Sequence, residues 1–127
     1  MIDYSIAAEF ADQVRAFAVI ESQERPYATG DDGQAFGLLQ MHPATFKRYY
    51  GCAGRFAENV KDTWLEAQIK ACAGFLLMHD WQHANQAMRD KIVMAWNLGE
   101  AAVFMEKRTN EAYLARWKAA YAKIQES

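Results

Sequence analysis

The chain has 127 residues, a formal net charge of −2 and a hydrophobic share of 52%, enough for one domain with a real core. So weak a charge gives no electrostatic ground for binding nucleic acid or for cationic attraction to an anionic wall. No stretch approaches the roughly 20 apolar residues that span a bilayer, and no basic region leads into an apolar run at the amino terminus, so neither membrane insertion nor a secretion signal is expected.

An amphipathic helix is predicted from Asp3 to Gln23, capped by Asp3 or, with a later start, by Ser5. Its apolar arc of Ile6, Phe10, Val14 and Phe17 continues into Glu21 when residues are spaced about 100° apart. A loop follows from Glu24 to Ala35, with Thr29-Gly30-Asp31-Asp32-Gly33 as a strong turn signal. The alternation from Gln34 to Leu39 is long enough only for a small hairpin. Pro43 opens a short helix to Tyr49, which Gly51 and Gly54 end.

Asp62 is expected to cap the next helix, whose Leu65, Ile69, Cys72, Leu76 and His79 form a narrow stripe that marks it as central. A further helix carries Met88, Ile92 and Ala95 inward and stops near Gly99; a short one covers Glu100 to Arg108. The last begins at Thr109 or Asn110 and buries Tyr113, Trp117, Ala120 and Ile124, leaving Lys118 and Lys123 to solvent. Cys52 and Cys72 belong to no motif and are expected to stay reduced, Cys72 on an apolar stripe. Without repeat or linker, residues 1–127 read as a single domain, mainly α, an orthogonal helical bundle around a cleft.

Glu21 is the first candidate for chemistry. A carboxylate on an apolar arc is desolvated, and near the carboxyl end of a helix the macrodipole also opposes its charge. Both effects predict a raised pKa and a carboxyl that can serve as a general acid. Asp31 and Asp32 are the acids of the glycine-containing loop; as Asp-Asp-Gly they are also ordinary turn formers.

Glu21-Ser22, the loop with Ala28-Thr29-Gly30, Ala35-Phe36-Gly37-Leu38-Leu39-Gln40 and His42-Pro43-Ala44-Thr45 together resemble the soluble lytic transglycosylase branch of the lysozyme-like superfamily. That family shows a Glu-Ser pair, a Gly-Leu-Met-Gln signature followed by Pro-Ala-Thr, and a later Ala-Tyr-Asn-Ala-Gly motif. Here the later motif reads Ala95-Trp96-Asn97-Leu98-Gly99, while Gln68 to Leu76 is similar to the central helix and Asn110-Glu111-Ala112-Tyr113-Leu114 to the late tyrosine motif. The resemblance runs from Phe10 to Trp117 in family order.

The resemblance implies a lysozyme-like bundle with a small loop or β-hairpin region lining the cleft. It also implies cleavage of the β-1,4 bond between N-acetylmuramic acid and N-acetylglucosamine in peptidoglycan. Glu21 would act as acid and then base, closing a 1,6-anhydro ring, with no cofactor and no metal. Ser22, Gln40, Trp96, Asn97 and Tyr113 would be the substrate-side residues, Tyr113 orienting the acid. Two positions depart from the family pattern: Trp96 replaces a tyrosine, and Gly30-Asp31-Asp32-Gly33 replaces a Ser-Pro-x-Gly turn with one residue inserted. The second departure keeps a hydrolytic lysozyme or endolysin open, with Asp31 or Asp32 as second carboxylate.

The expected partner is the glycan strand of peptidoglycan, with a chitin-like polymer as alternative, bound by a monomer. The expected place of action is the bacterial cell wall, periplasmic or extracellular, reached by a phage or another export route. A catalytically poor wall-binding or virion module is the competing non-enzymatic reading. A third class comes from His79-Asp80-Trp81-Gln82-His83, two histidines four apart as in zinc proteases, with His42 or a carboxylate as third ligand.

Overall fold

A computed structural model describes residues 2–57 and 61–127 of the chain. Five α-helices dominate it: α1 (Ala11–Ser22), α2 (Pro43–Gly51), α3 (Trp64–Met78), α4 (Gln86–Leu98) and α5 (Glu111–Glu126). Between α1 and α2 a minimal antiparallel sheet pairs β1 (Thr29–Gly30) with β2 (Ala35–Phe36), Thr29 opposite Phe36 and Gly30 opposite Ala35. The mainly helical expectation and the small hairpin therefore both hold.

The predicted first helix is split. Asp3 does cap it, accepting from the Ser5 amide at 2.9 Å, but Tyr4–Phe10 is a 3-10 segment interrupted at Ala8, where φ is 49°. Only from Ala11 does an α-helix run, to a left-handed Gln23 whose amide bonds back to Ala18 and Val19. The split still buries Phe10, Val14 and Phe17 completely, whereas Ile6 is only partly covered.

α3 is the central element, packing against α1, α2 and the amino-terminal segment. From Ala67 to Leu76 every residue but Lys70 is buried, so it is apolar nearly all round and not along one stripe. Its cap is Thr63, not Asp62: the Thr63 hydroxyl accepts from the Glu66 amide and the Glu66 carboxylate from the Thr63 amide, a reciprocal capping box. Asp62 instead binds Lys70 at 2.7 Å and the Tyr50 hydroxyl. Burial raises its pKa, but those two partners more than offset that and leave it lowered.

Gly74 lets α2 lie directly on α3. A Cβ there would stand 2.5 Å from the Tyr49 carbonyl oxygen and 2.9 Å from the Ala53 Cα. α2 extends past Tyr49 through Gly51, so Gly51 does not end it. In α4, Ile92 and Ala95 turn inward as expected, but Met88 is exposed and Val93 and Met94 complete the buried face. A π-helical turn, Ala101–Met105, stands where a short helix was expected. α5, capped by Asn110, buries Tyr113, Leu114, Trp117 and Ala120 and leaves Ile124 at the core's edge.

The zinc-protease reading is overturned here. α3 ends at Met78, Asp80 is left-handed at φ 53°, and Trp81–His83 is a separate 3-10 turn, so the two histidines are not on one helical face. His79 stacks on Phe104, while His83 is exposed and bonds Asp80. Among the described residues no three His, Cys, Asp or Glu side chains are grouped to hold a metal. No described helix is long and apolar enough to cross a membrane. Cys52 is exposed, Cys72 buried, and both are free thiols.

Candidate active site

A groove of about 490 Å³ opens between the hairpin, α2 and the carboxyl end of α4. Glu21, in the last turn of α1, forms part of its wall. The hairpin region adds Asp31, Gln40 and Met41, α2 adds Thr45 and Tyr49, and α4 adds Trp96 and Asn97.

Glu21 is partly buried, and burial pushes its carboxyl pKa above the ordinary glutamate range. Two groups pull the other way without reversing it: the Tyr113 hydroxyl, which donates to Glu21 Oε2 at 2.7 Å, and the Arg116 guanidinium. Tyr113 is itself 3% exposed, and burial together with the Glu21 carboxyl raises its phenol well above the usual range. It therefore remains a proton donor at any working pH. With Oε2 held by that donor, the carboxyl proton belongs on Oε1. Cys72 on α3 lies close enough for the Glu21 charge to raise its pKa, though burial raises it more, so the thiol stays protonated.

Ser22 does not face the groove. It is 2% exposed, and its hydroxyl donates to the Leu38 carbonyl at 2.7 Å and to the Ala18 carbonyl at 3.2 Å. It accepts from the Arg25 amide at 3.1 Å. Its substrate-side assignment is corrected accordingly: Ser22 ties the hairpin's exit to the end of α1 and so fixes the backbone that carries Glu21. Leu38 and Leu39, both fully buried, anchor the same strip in the core. Gly37, at φ +78°, permits the turn there, and a Cβ on it would stand 2.0 Å from the Gln68 Oε1.

Gln40, left-handed at φ 51°, lines the groove and donates to the carbonyls of Ala28 and Gly37 at 3.0 and 2.9 Å. Its amide thus holds the loop closed. Asp31 lines the groove and pairs with His42, Oδ2 to Nε2, at 2.7 Å. Asp32 is exposed and does not contribute to the lining.

Trp96 packs against three rings, Phe17 at 5.4 Å, Tyr49 at 5.7 Å and Phe75 at 4.9 Å, and remains partly open to the groove. Asn97 accepts from the Asn110 side chain at 2.7 Å, which joins the end of α4 to the cap of α5. Sequence reasoning overlooked Tyr49 and the carboxylate behind it. The Tyr49 hydroxyl donates to Glu100 Oε1 at 2.8 Å, while Arg48 and His79 flank the same carboxylate. Burial and Glu100 both push the Tyr49 phenol up, so it too stays a donor.

The profile of the transglycosylase SLT domain matches residues 9–118. The chain belongs to that family. Members of the SLT family are lytic transglycosylases, enzymes that act on peptidoglycan, which makes this chain an enzyme of that class. The matched span carries the whole groove lining, from Glu21 on α1 to Gly99 after α4, and also Tyr113 on α5, which does not line the groove but holds Glu21 from behind. No curated protein and no solved structure gives a match.

Proposed function

We propose that this SLT domain cleaves the β-1,4 bond between N-acetylmuramic acid and N-acetylglucosamine, with Glu21 as the single acid and then base. The observation that carries this is the Glu21 carboxyl itself, desolvated on the groove wall with one oxygen held by Tyr113. The proton on Oε1 passes to the leaving O4 of the N-acetylglucosamine as the C1–O4 bond breaks. The neighbouring acetamido oxygen of the muramic sugar stabilises the oxocarbenium-like C1. Glu21, now a carboxylate, takes the proton of the muramic 6-hydroxyl as O6 bonds to C1. The 1,6-anhydro ring closes, and Glu21 is protonated again without water being consumed.

In this scheme Gln40 holds the loop floor, Trp96 offers the partly open edge of an aromatic stack to a sugar face, and Asn97 supplies a polar group at the far end. Hydrolysis is the second reading, favoured by the position of Asp31 on the same groove beside His42. There the carboxylate would activate water, as two-carboxylate glycosidases do. Nothing in the groove lining gives Asp32 that role.

Digestion of purified sacculi followed by mass spectrometry of the released ends tests both. Anhydromuramic ends are expected; reducing muramic ends would transfer the assignment to hydrolysis. Glu21→Gln is expected to lower turnover about 10²–10⁴-fold, the range of a lost general acid, with the fold retained. A folded wild-type protein that releases nothing would leave only the wall-binding module.

A further inference from the structure

Behind the groove wall, and not on it, three side chains converge on one carboxylate. Glu100 caps the π-helical turn that follows α4, and its side chain is 16% exposed. The Tyr49 hydroxyl donates to Oε1 at 2.8 Å, and the Arg48 guanidinium reaches the same oxygen at 2.5 Å. His79, at the end of α3, places Nε2 2.7 Å from Oε2, an ion-pair contact out of line for a hydrogen bond. One carboxylate thus joins α2, the end of α3 and the turn after α4.

Stability is a poor reason for this arrangement. A carboxylate withdrawn from water is costly even when paired, and apolar side chains of similar volume hold such a place about as well. What an apolar residue cannot supply is an acceptor that fixes the direction of the Tyr49 hydroxyl. That direction matters at the groove. Tyr49 lines it and lies 5.7 Å from the Trp96 ring at an interplanar angle of 26°, nearly parallel, while Phe75 stands edge-on to both rings at 4.9 Å. His79 closes the same cluster, edge-on to Phe75 at 4.8 Å and stacked on Phe104 at 5.4 Å. Trp96 is the ring of this cluster that remains partly open to the groove, and its plane is only as fixed as the phenol beside it.

We propose that Glu100 is a positioning residue for the groove: through the Tyr49 hydroxyl it sets the Tyr49–Trp96 pair as the flat surface on which one sugar ring of the glycan rests. Arg48 and His79 hold the carboxylate in its place. The sugar-binding part rests on the glycan-cleaving function assigned to the groove. Glu100 touches neither the sugar nor the reacting atoms, so its effect falls on binding and not on proton transfer. An interaction that holds substrate and transition state alike appears in KM with kcat unchanged.

The test measures kcat and KM from the muramic ends, anhydro or reducing, released from soluble peptide-free glycan strands. Tyr49→Phe and Glu100→Ala should each raise KM about five- to ten-fold, the scale of one net hydrogen bond, with kcat within about two-fold of wild type. The double variant should be no worse than the poorer single one, because both break the same link. Glu100→Gln keeps an oxygen for the phenol and should hold KM within about two-fold of wild type, although Arg48 and His79 lose their counter-charge and the urea midpoint falls. A merely structural carboxylate would move the midpoint in these variants and KM in none. Should Glu100→Ala not fold, Tyr49→Phe, which removes a single oxygen, decides alone. Independently of turnover, the Trp96 indole N–H signal in NMR should shift or broaden in Tyr49→Phe and Glu100→Ala and keep its place in Glu100→Gln. An unchanged KM in folded Tyr49→Phe, additive losses in the double variant, Glu100→Gln as impaired as Glu100→Ala, or an unmoved Trp96 signal would each overturn the proposal. Failure of the groove assignment reads differently, as a wild-type enzyme that releases no ends while the Trp96 signal still responds to the variants.

Discussion

Glu21 becomes an acid through its surroundings: burial lifts its pKa, and Tyr113 and Arg116 limit how far. Removing the Tyr113 hydroxyl takes away a partner of the charged form, so the carboxyl pKa must rise further. Tyr113→Phe is therefore expected to move the alkaline limb of the kcat/KM against pH profile to higher pH while lowering the maximum about ten-fold through loss of orientation, a factor equivalent to about 1.4 kcal/mol. A limb that moves to lower pH would show that Tyr113 does something other than stabilise the carboxylate. Glu21 was legible in the sequence because a carboxylate on an apolar arc is a local contradiction. Tyr49 was not, because its partner Glu100 is 51 positions away and Tyr49 alone looks like any core aromatic. Ser22 was misassigned for the related reason that adjacency to an acid says nothing of which way a hydroxyl turns; here it turns to the Leu38 carbonyl.

The elements were easiest to foresee where pattern and local chemistry coincide. The end of α4 near Gly99 and the start of α5 at Asn110 were found because a glycine closes the one, an asparagine caps the other and the buried residues of α5 recur at helical spacing; the Asn85 cap that starts α4 was not read. The cap of α3 was missed by one residue because Asp62 and Thr63 are both good caps, and Lys70, eight positions on, decided the matter by claiming the aspartate. The break at Ala8 carries no Pro or Gly to announce it. The contact of α2 with α3 at Gly74 was equally invisible, since a glycine inside a helical pattern gives no hint of its neighbour. It makes a sharp prediction. Gly74→Ala improves helix propensity by about 1 kcal/mol, yet its Cβ meets backbone, the Tyr49 carbonyl at 2.5 Å. The collision should win, with net destabilisation of about 1–3 kcal/mol in urea unfolding, as for overpacked cores. Because the displaced strand of backbone carries Tyr49 into the groove, KM for glycan should rise as well. Unchanged stability would mean that α2 can give way at no cost.

The molecule as a whole joins a continuous core, drawn from Tyr4 to Ala120, to a groove whose working residue opposes that core. Folding holds the Glu21 proton to a higher pH than the unfolded chain does. Between the unfolded and folded pKa values unfolding therefore releases a proton, so stability falls as pH rises through that window, and above the folded pKa the full loss is in place. Glu21→Gln keeps an oxygen for the Tyr113 hydroxyl and removes the charge. It should be the more stable protein at pH 7, by about 0.5–2 kcal/mol, the usual scale of a single stabilising substitution. The gain should shrink on acidification and vanish below about pH 4, where the unfolded glutamate is itself protonated. Urea midpoints of the two proteins across that range check it. A variant less stable than wild type at every pH would mean that the carboxylate contributes net stability to the fold, and the case for Glu21 as a desolvated acid would lose its thermodynamic support.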